Sequence, residues 1–415
     1  MAALSLGRTR PAARTVPVDR TVPVDRTVPV GRSGRKYSAL VVTVVHNPED
    51  SRIRQRQIDA LISAGWQVTY AAPFHAFGHG RPGVLARPAR GGVRCIDVPR
   101  SSGRRRFRAW RAARTILQAL AQEHDVVVVH DPELLLAAAG LGIRNLIWDV
   151  HEDPAAALAV KAWMPAVLRR PVAAGWRRAE LLVEKRHSLL LAEHAYQQRF
   201  RHSHPVVPNS VPVPRAIAPP GVDRVTYLGS VTMSRGCDTM VEVGRELRRR
   251  TNGAVTLEVI SEVVDPEARQ ALQSAAVAGD LSWSGFVPSE VALARVSGSL
   301  AGLCLLRNLP NYRVSLPTKI VEYCALGVPV IATPLPLVAD LVRSEKVGLE
   351  VPWDDPSSVV DAILSLRADP LLRRQMGING HRVAQRDHDW NRLSSEFVRI
   401  METTAEQVRA KASSC

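Results

Sequence analysis

From Ser38 onward, apolar runs of strand length alternate with stretches of helical periodicity. The runs are Ala39–Val45, Val68–Ala72, Cys95–Val98, Val126–His130, Leu146–Val150 and Ser188–Ala192. They are continuous rather than alternating, which predicts strands buried on both faces, as in a parallel sheet covered by helices. Ile53–Ala64 has helical spacing at Ile53, Ile58, Leu61 and Ile62, and stops at Gly65. This is the pattern of a doubly wound α/β domain.

Six prolines fall between Pro205 and Pro220, a composition through which no helix or central strand can run. The alternation then restarts with Val225–Gly229, Val255–Ile260, Leu281–Gly285, Ala301–Leu306, Val328–Thr333 and Gly348–Val351, followed by helical pattern from Ser357 to about Val408. The expected organisation is a first α/β domain over 37–204, a linker over 205–221 and a second α/β domain over 222–385. A helix over 386–408 is expected to cross back to the first domain, with a short tail over 409–415.

Residues 1–36 read differently. TVPVDR occurs at Thr15–Arg20 and Thr21–Arg26, then TVPVGR at Thr27–Arg32. Proline in every unit blocks helix and central-strand pairing, so a disordered basic tail is expected. That tail carries eight of the Arg and Lys residues and two Asp, while the whole chain has a net charge of +16. Such a balance suits anionic lipid, nucleic acid or phosphorylated substrates. With no zinc-finger spacing and no interleaved aromatic pattern, nucleic acid is not expected as a partner. The five scattered cysteines form no CxxC pair, which argues against a disulfide framework or a zinc site.

No apolar run approaches the roughly 20 residues of a membrane span, and the first residues lack the apolar stretch of a signal peptide. A cytoplasmic protein is expected. Gly103–Leu120 reads as a basic amphipathic helix with Phe107, Trp110, Ala113, Leu117 and Leu120 on one side. It suits either peripheral attachment to an anionic membrane face or ordinary packing with a solvated basic face.

In open parallel sheets, ligands bind beyond the carboxyl ends of the strands. After Ala301–Leu306 comes PNYRVSLPTKIVEYCALG, in which Thr318 can cap a helix from Lys319 to Leu326. The free N–H groups there would attract an anion, with Lys319 adding a cation and Glu322 lying on the same helix face. Helix geometry alone leaves this equally compatible with a Lys–Glu surface pair. After Val225–Gly229 comes a loop containing Ser230, Arg235 and Gly236. LIWDVHED delivers Asp149, His151 and Glu152 at a strand end. Two close Asp–His ligands without a third are weak grounds for a metal, and none is expected.

LPTKIVEYCALGVPVIAT, from Leu316 to Thr333, resembles the donor-site signature of glycosyltransferase family 4 through Pro317, Lys319, Glu322, Ala325, Gly327, Pro329, Val330, Ile331 and Ala332. The resemblance implies a GT-B fold, two Rossmann-like domains facing a central cleft. It also implies retaining transfer from a nucleotide-diphosphate sugar, with that donor as co-substrate and no cofactor. By the same resemblance Glu322 would hold the ribose hydroxyls and Lys319 the diphosphate, with Thr318, Ser315, Gly229 and Ser230 beside them. Arg235 would bind the diphosphate as a fork rather than a point charge, and His151 would stand near the transferred sugar. Asp50, Arg52, His130, Asp131, Asp149 and Glu152 would line the acceptor side, for a carbohydrate or lipid-linked acceptor.

The chain departs from the family pattern at two positions. Val314 stands where a first glutamate often contacts the sugar, and Ser230 where an arginine is usual. These departures keep open an inactive GT-B partner subunit. A sugar-nucleotide 2-epimerase is the remaining alternative, though its carboxylate set is not evident.

Overall fold

The computed structural model describes residues 37–79, 92–159, 165–263 and 265–413. The proposed N-terminal repeat tail lies outside them. The first half contains a six-stranded sheet of β1 (Ser38–Val42), β2 (Gln67–Ala72), β3 (Arg94–Asp97), β4 (Val126–Val129), β5 (Leu146–Val150) and β6 (Ser188–Leu191). The second contains β7 (Arg224–Leu228), β8 (Thr256–Ile260), β9 (Ser282–Trp283), β10 (Ala301–Cys304), β11 (Val330–Ala332) and β12 (Gly348–Glu350). Their orders are β3-β2-β1-β4-β5-β6 and β12-β11-β10-β7-β8-β9, and every pairing is parallel. Both halves thus have the doubly wound topology, each reversing strand order beside its first strand. The ligand crevices of such sheets open there, between the loops after β1 and β4 and between those after β7 and β10.

All twelve strands fall within or beside the apolar runs, and the central ones are buried on both faces. Leu40, Val42, Val127, Val129, Trp148 and Val150 face one layer, and Ala39, Val41, Val126, Val128 and Ile147 the other. The shortest strand is β9, reduced to two residues at a sheet edge where Ser282 is exposed.

The chain between the halves crosses twice. The long helix Trp390–Ser413 packs Trp390, Phe397 and Met401 into the first half's core, against Val41, Leu61 and Val128. Isolated bridges join Leu191 to Val206 and Val211 to Asp389, so the two crossings run side by side.

Three local predictions need correction. Ile53–Ile58 is a single π-helical segment, and only Asp59–Ser63 continues as α-helix; a π segment widens the turn and re-aims side chains, often at functional sites. The helix of the signature runs Thr318–Ala325, so Pro317 rather than Thr318 precedes it, and no side chain among the described residues caps it. On the helix Arg106–Leu120 the buried stripe is Ala109, Ala113 and Leu117, while Phe107 is exposed and stacks on Trp110 with centroids 5.7 Å apart.

Candidate active site

On the side of the second half, β7 is followed by Gly229, whose φ of +103° suits a residue without Cβ. The loop then turns through Arg235 to Gly236, at φ +80°, where a Cβ would lie 2.4 Å from the Leu305 carbonyl oxygen. Glycine is therefore required for the loops after β7 and β10 to touch. Tyr323 braces the same corner: its hydroxyl accepts from the Leu228 N–H at 2.9 Å and donates to the Leu303 carbonyl at 3.2 Å.

Lys319 sits inside this frame. It is 7% exposed, its Nζ has no hydrogen-bond partner among the described residues, and the ammonium lies 3.5 Å from the centroid of the Tyr227 ring. Burial, with the Arg235 charge adding to it, pulls its pKa down to about 7, against the opposing pull of Cys304 and Glu322. The surface-pair alternative fails here, since Lys319 is buried and forms no ion pair with Glu322. Glu322 is half-buried, and burial raises its carboxyl above the usual range. Arg235 Nη1 lies 3.4 Å from the Ser230 carbonyl, which also accepts the Tyr227 hydroxyl at 2.9 Å, and the Tyr312 hydroxyl is a further partner of the guanidinium. Ser230 is exposed, and Ser315 and Thr318 are half-buried on the approach to the helix. A buried ammonium without an anion, backed by a guanidinium and an uncapped helix start, has the chemistry to attract phosphate oxygens.

On the side of the first half, Asp149 is fully buried and accepts from Arg52 Nε at 3.0 Å, Arg52 Nη2 at 2.8 Å and Gln57 Nε2 at 2.8 Å. His130 Nδ1 lies 3.2 Å from the same carboxylate. Burial would raise this carboxyl, but the Arg52 charge and the His130 and Arg52 contacts outweigh it and hold it well below the carboxylate range. Arg52 also donates to the Val207 carbonyl at 3.1 and 3.2 Å, so it anchors the linker rather than pointing into the cleft. Asp50 accepts the N–H groups of Arg52 and Ile53, and starts the helical segment.

Asp131 braces the loop after β1, taking the Thr43 hydroxyl and the Val44 and Val45 N–H groups, and it faces His46 Nε2 at 3.2 Å. Burial pulls the His46 imidazole down, but Asp131 outweighs this and pushes it up to about 9. His46 Nε2 also lies 3.0 Å from His151 Nε2. His151 Nδ1 is 3.1 Å from the Asp149 carbonyl, and burial together with the His46 charge pushes His151 down to about 3. At neutral pH the pair is one imidazolium and one neutral ring. His151 then donates through Nδ1 and accepts through Nε2. Glu152 is exposed, its backbone carbonyl held by Arg199.

His130, Asp149 and His151 offer ligand atoms within 4.8 Å of one another. The Asp149 oxygen nearest both histidines already accepts from Arg52 Nε and Gln57 Nε2, so a metal ion there would compete with those donors.

The two halves meet through the loop before the signature helix. The Leu316 N–H donates to Glu193 Oε1 at 3.1 Å, and Val314 packs against the first half's apolar cluster. Sequence reasoning named neither Glu193 nor Tyr227 nor Tyr323 as parts of the site. Tyr227 reads as one more core residue of its strand, and no local pattern signals a contact between Glu193 and a loop 123 residues away.

The fold and both half-sites define a GT-B architecture. Residues 222–369, within the second half, match the family "Glycosyl transferases group 1". Over 86 residues the chain is 33% identical to a phosphatidyl-myo-inositol mannosyltransferase of Mycobacterium leprae, a match spanning 21% of this chain and 23% of that relative. The sucrose-phosphate synthase of Thermosynechococcus elongatus has a similar fold, with a TM-score of 0.67 at 17% identity over 89% of this chain and 99% of that one. An α,α-trehalose-phosphate synthase of Burkholderia vietnamiensis gives 0.63 at 13% identity, over 90% and 98% of the two chains.

Proposed function

We propose that this protein is a retaining glycosyltransferase that moves a sugar from a nucleotide-diphosphate sugar to a carbohydrate or lipid-linked acceptor. The observation that carries the reading is Lys319, a buried ammonium without an anion at the start of a helix, with Arg235 beside it. Such a site stabilises a leaving diphosphate by pre-placed positive charge. Catalysis then rests on positioning and charge stabilisation, without a resident metal or cofactor. Glu322 takes the ribose hydroxyls, and His151 faces the transferred sugar. Calorimetry with UDP, GDP, ADP and TDP tests this: one should bind, Glu322→Ala and Lys319→Gln should each weaken it, and no binding by the wild type would sink the reading.

Val314, packed against the first half instead of facing a sugar, favours the inactive partner subunit as the second reading. Nucleotide binding without transfer to any member of an acceptor library would select it, and isomerisation of the donor sugar would select the epimerase.

The acceptor side has a feature that suits a membrane-bound substrate. The helices Arg106–Leu120, Pro132–Ala138 and Ala166–Glu184 lie on one layer of the first half, and Phe107, Leu136, Val167, Leu168, Val172 and Leu182 are exposed on them. Arg104, Arg105, Arg106, Arg108 and Arg111 are exposed on the same layer. Apolar side chains among arginines fit the face of an anionic bilayer. Among the described residues no helix is long and apolar enough to cross a membrane, so contact would be peripheral. Co-sedimentation with phosphatidylglycerol vesicles but not phosphatidylcholine vesicles is expected, and equal partition would reject it.

A further inference from the structure

The π-helical segment Ile53–Ile58 and the residue before it carry three arginines at alternate positions. Two of them have carboxylate partners: Arg52 is bonded to Asp149, and Arg54 to Asp59. The third, Arg56, is 5% exposed, and its side chain makes no hydrogen bond or ion pair among the described residues. Burying a guanidinium without an anion is costly, and proteins rarely do so unless something else supplies the partner. The carboxylate that acts on it most is Glu322 of the second half, yet the two form no ion pair. Glu322 is also the group expected to hold the ribose of a nucleotide.

We propose that Arg56 is an anion-binding residue given by the first half to the cleft, where its planar fork takes a phosphoryl group of a substrate. This rests on the nucleotide-sugar reading for the position of the substrate, but not for the chemistry of the guanidinium. Bidentate recognition of phosphate is what a fixed guanidinium does best. The wide π turn explains the placement. It lets Arg52 and Gln57 both reach Asp149 while Arg56, between them in sequence, is left without a carboxylate. The phosphoryl group comes either from the donor diphosphate or from a phosphorylated acceptor.

Calorimetry on the full chain decides, using UDP, GDP, ADP and TDP, the parent nucleosides, glucose 6-phosphate and inorganic phosphate, with wild type, Arg56→Gln and Arg56→Lys. If the donor supplies the phosphate, Arg56→Gln weakens the bound nucleoside diphosphate by about ten-fold or more, the loss expected for a hydrogen bond to a charged group. The nucleoside alone should be unaffected, and Arg56→Lys should recover part of the loss. If the acceptor supplies it, diphosphate binding is unchanged and glucose 6-phosphate or inorganic phosphate is lost instead. Arg56-dependent phosphate binding by a wild type that binds no nucleotide would keep this proposal and reject the nucleotide-sugar reading. Equal affinities of wild type and Arg56→Gln for every phosphate probe, or no binding of any by the wild type, overturns it. Thermal melting separates a structural role: a residue holding the fold would lower the melting temperature when changed, whereas an unpaired buried charge should leave it unchanged or raise it.

Discussion

Lys319 Nζ stands 3.5 Å from the centre of the Tyr227 ring, a cation held on an aromatic face with no anion beside it. The ring compensates part of the desolvation, by about 0.5–2 kcal/mol for contacts of this kind. Burial still leaves the pKa at about 7 instead of 10.5. A diphosphate arriving at the site would raise it again.

Binding of the nucleoside diphosphate should therefore take up a proton above pH 7. Calorimetry at pH 8.5 in buffers of different ionisation enthalpy should report uptake approaching one proton, and affinity should fall as pH rises beyond about 7. In Lys319→Gln the uptake should vanish along with most of the affinity. Uptake that persists in this variant would place the titrating group elsewhere.

Asp149 and Arg52 form the opposite arrangement, a buried pair with every strong donor satisfied. Breaking it from one side leaves a buried charge, so Asp149→Ala should cost about 3–5 kcal/mol of stability. Because Arg52 also holds the Val207 carbonyl, the loss should extend to the linker. Urea unfolding of wild type, Asp149→Ala and the double variant with Arg52→Met checks this: the double variant should recover much of the loss. A cost below about 1 kcal/mol in Asp149→Ala would mean the pair is worth no more than a surface one.

These two clusters also show what could be read before the fold was known. The central strands were legible because they are buried on both faces and so written in uninterrupted Val, Leu, Ile and Ala, while the edge strands β3, β9 and β12 are part-exposed. The strand-end positions of Asp149 and His151, and the place of Lys319 at the start of the helix that follows β10, were read from this pattern. What each side chain does there was not legible. Arg52 and Asp50 carry acceptor-side charges in sequence, yet one anchors the linker and the other starts a helical segment. The environment of Arg56 depends on which acids its neighbours have already taken, and that is a three-dimensional fact.

His46 gains its charge from Asp131. Its imidazole is raised from 6.5 to about 9, so the stabilisation is fully present below pH 6.5 and is lost as pH rises toward 9. Stability of the wild type should decline over that window, and His46→Gln should flatten the profile there. Nitrogen-15 NMR of the imidazoles should show His46 protonated and His151 neutral at pH 7; the reverse assignment would contradict the Asp131 contact.

Val314 occupies the sugar-contact position of the family pattern but packs against the first half's apolar cluster. Val314→Glu should therefore fail to restore a sugar contact and instead desolvate a carboxylate between the halves. The expected result is weaker docking of the 307–316 loop, seen as faster hydrogen exchange there, with no gain in donor affinity. Tighter donor binding in the variant would show that the loop can re-aim toward the sugar.

Glu193 reports on the same junction. Burial raises its carboxyl from 4.5 to about 7 even though the Leu316 N–H, Arg52 and Asn209 favour the charged form. A carboxyl raised on burial stabilises the docked state fully below pH 4.5, and that contribution is lost as pH rises through about 7. The halves should consequently part more readily at pH 8 than at pH 6, and Glu193→Gln, neutral at both, should remove the difference. Small-angle scattering of the ligand-free protein measures this as a larger radius of gyration at pH 8 in the wild type only. A radius that grows equally in Glu193→Gln would assign the change to other groups, and one that shrinks at pH 8 would reverse the sign argued for this carboxyl.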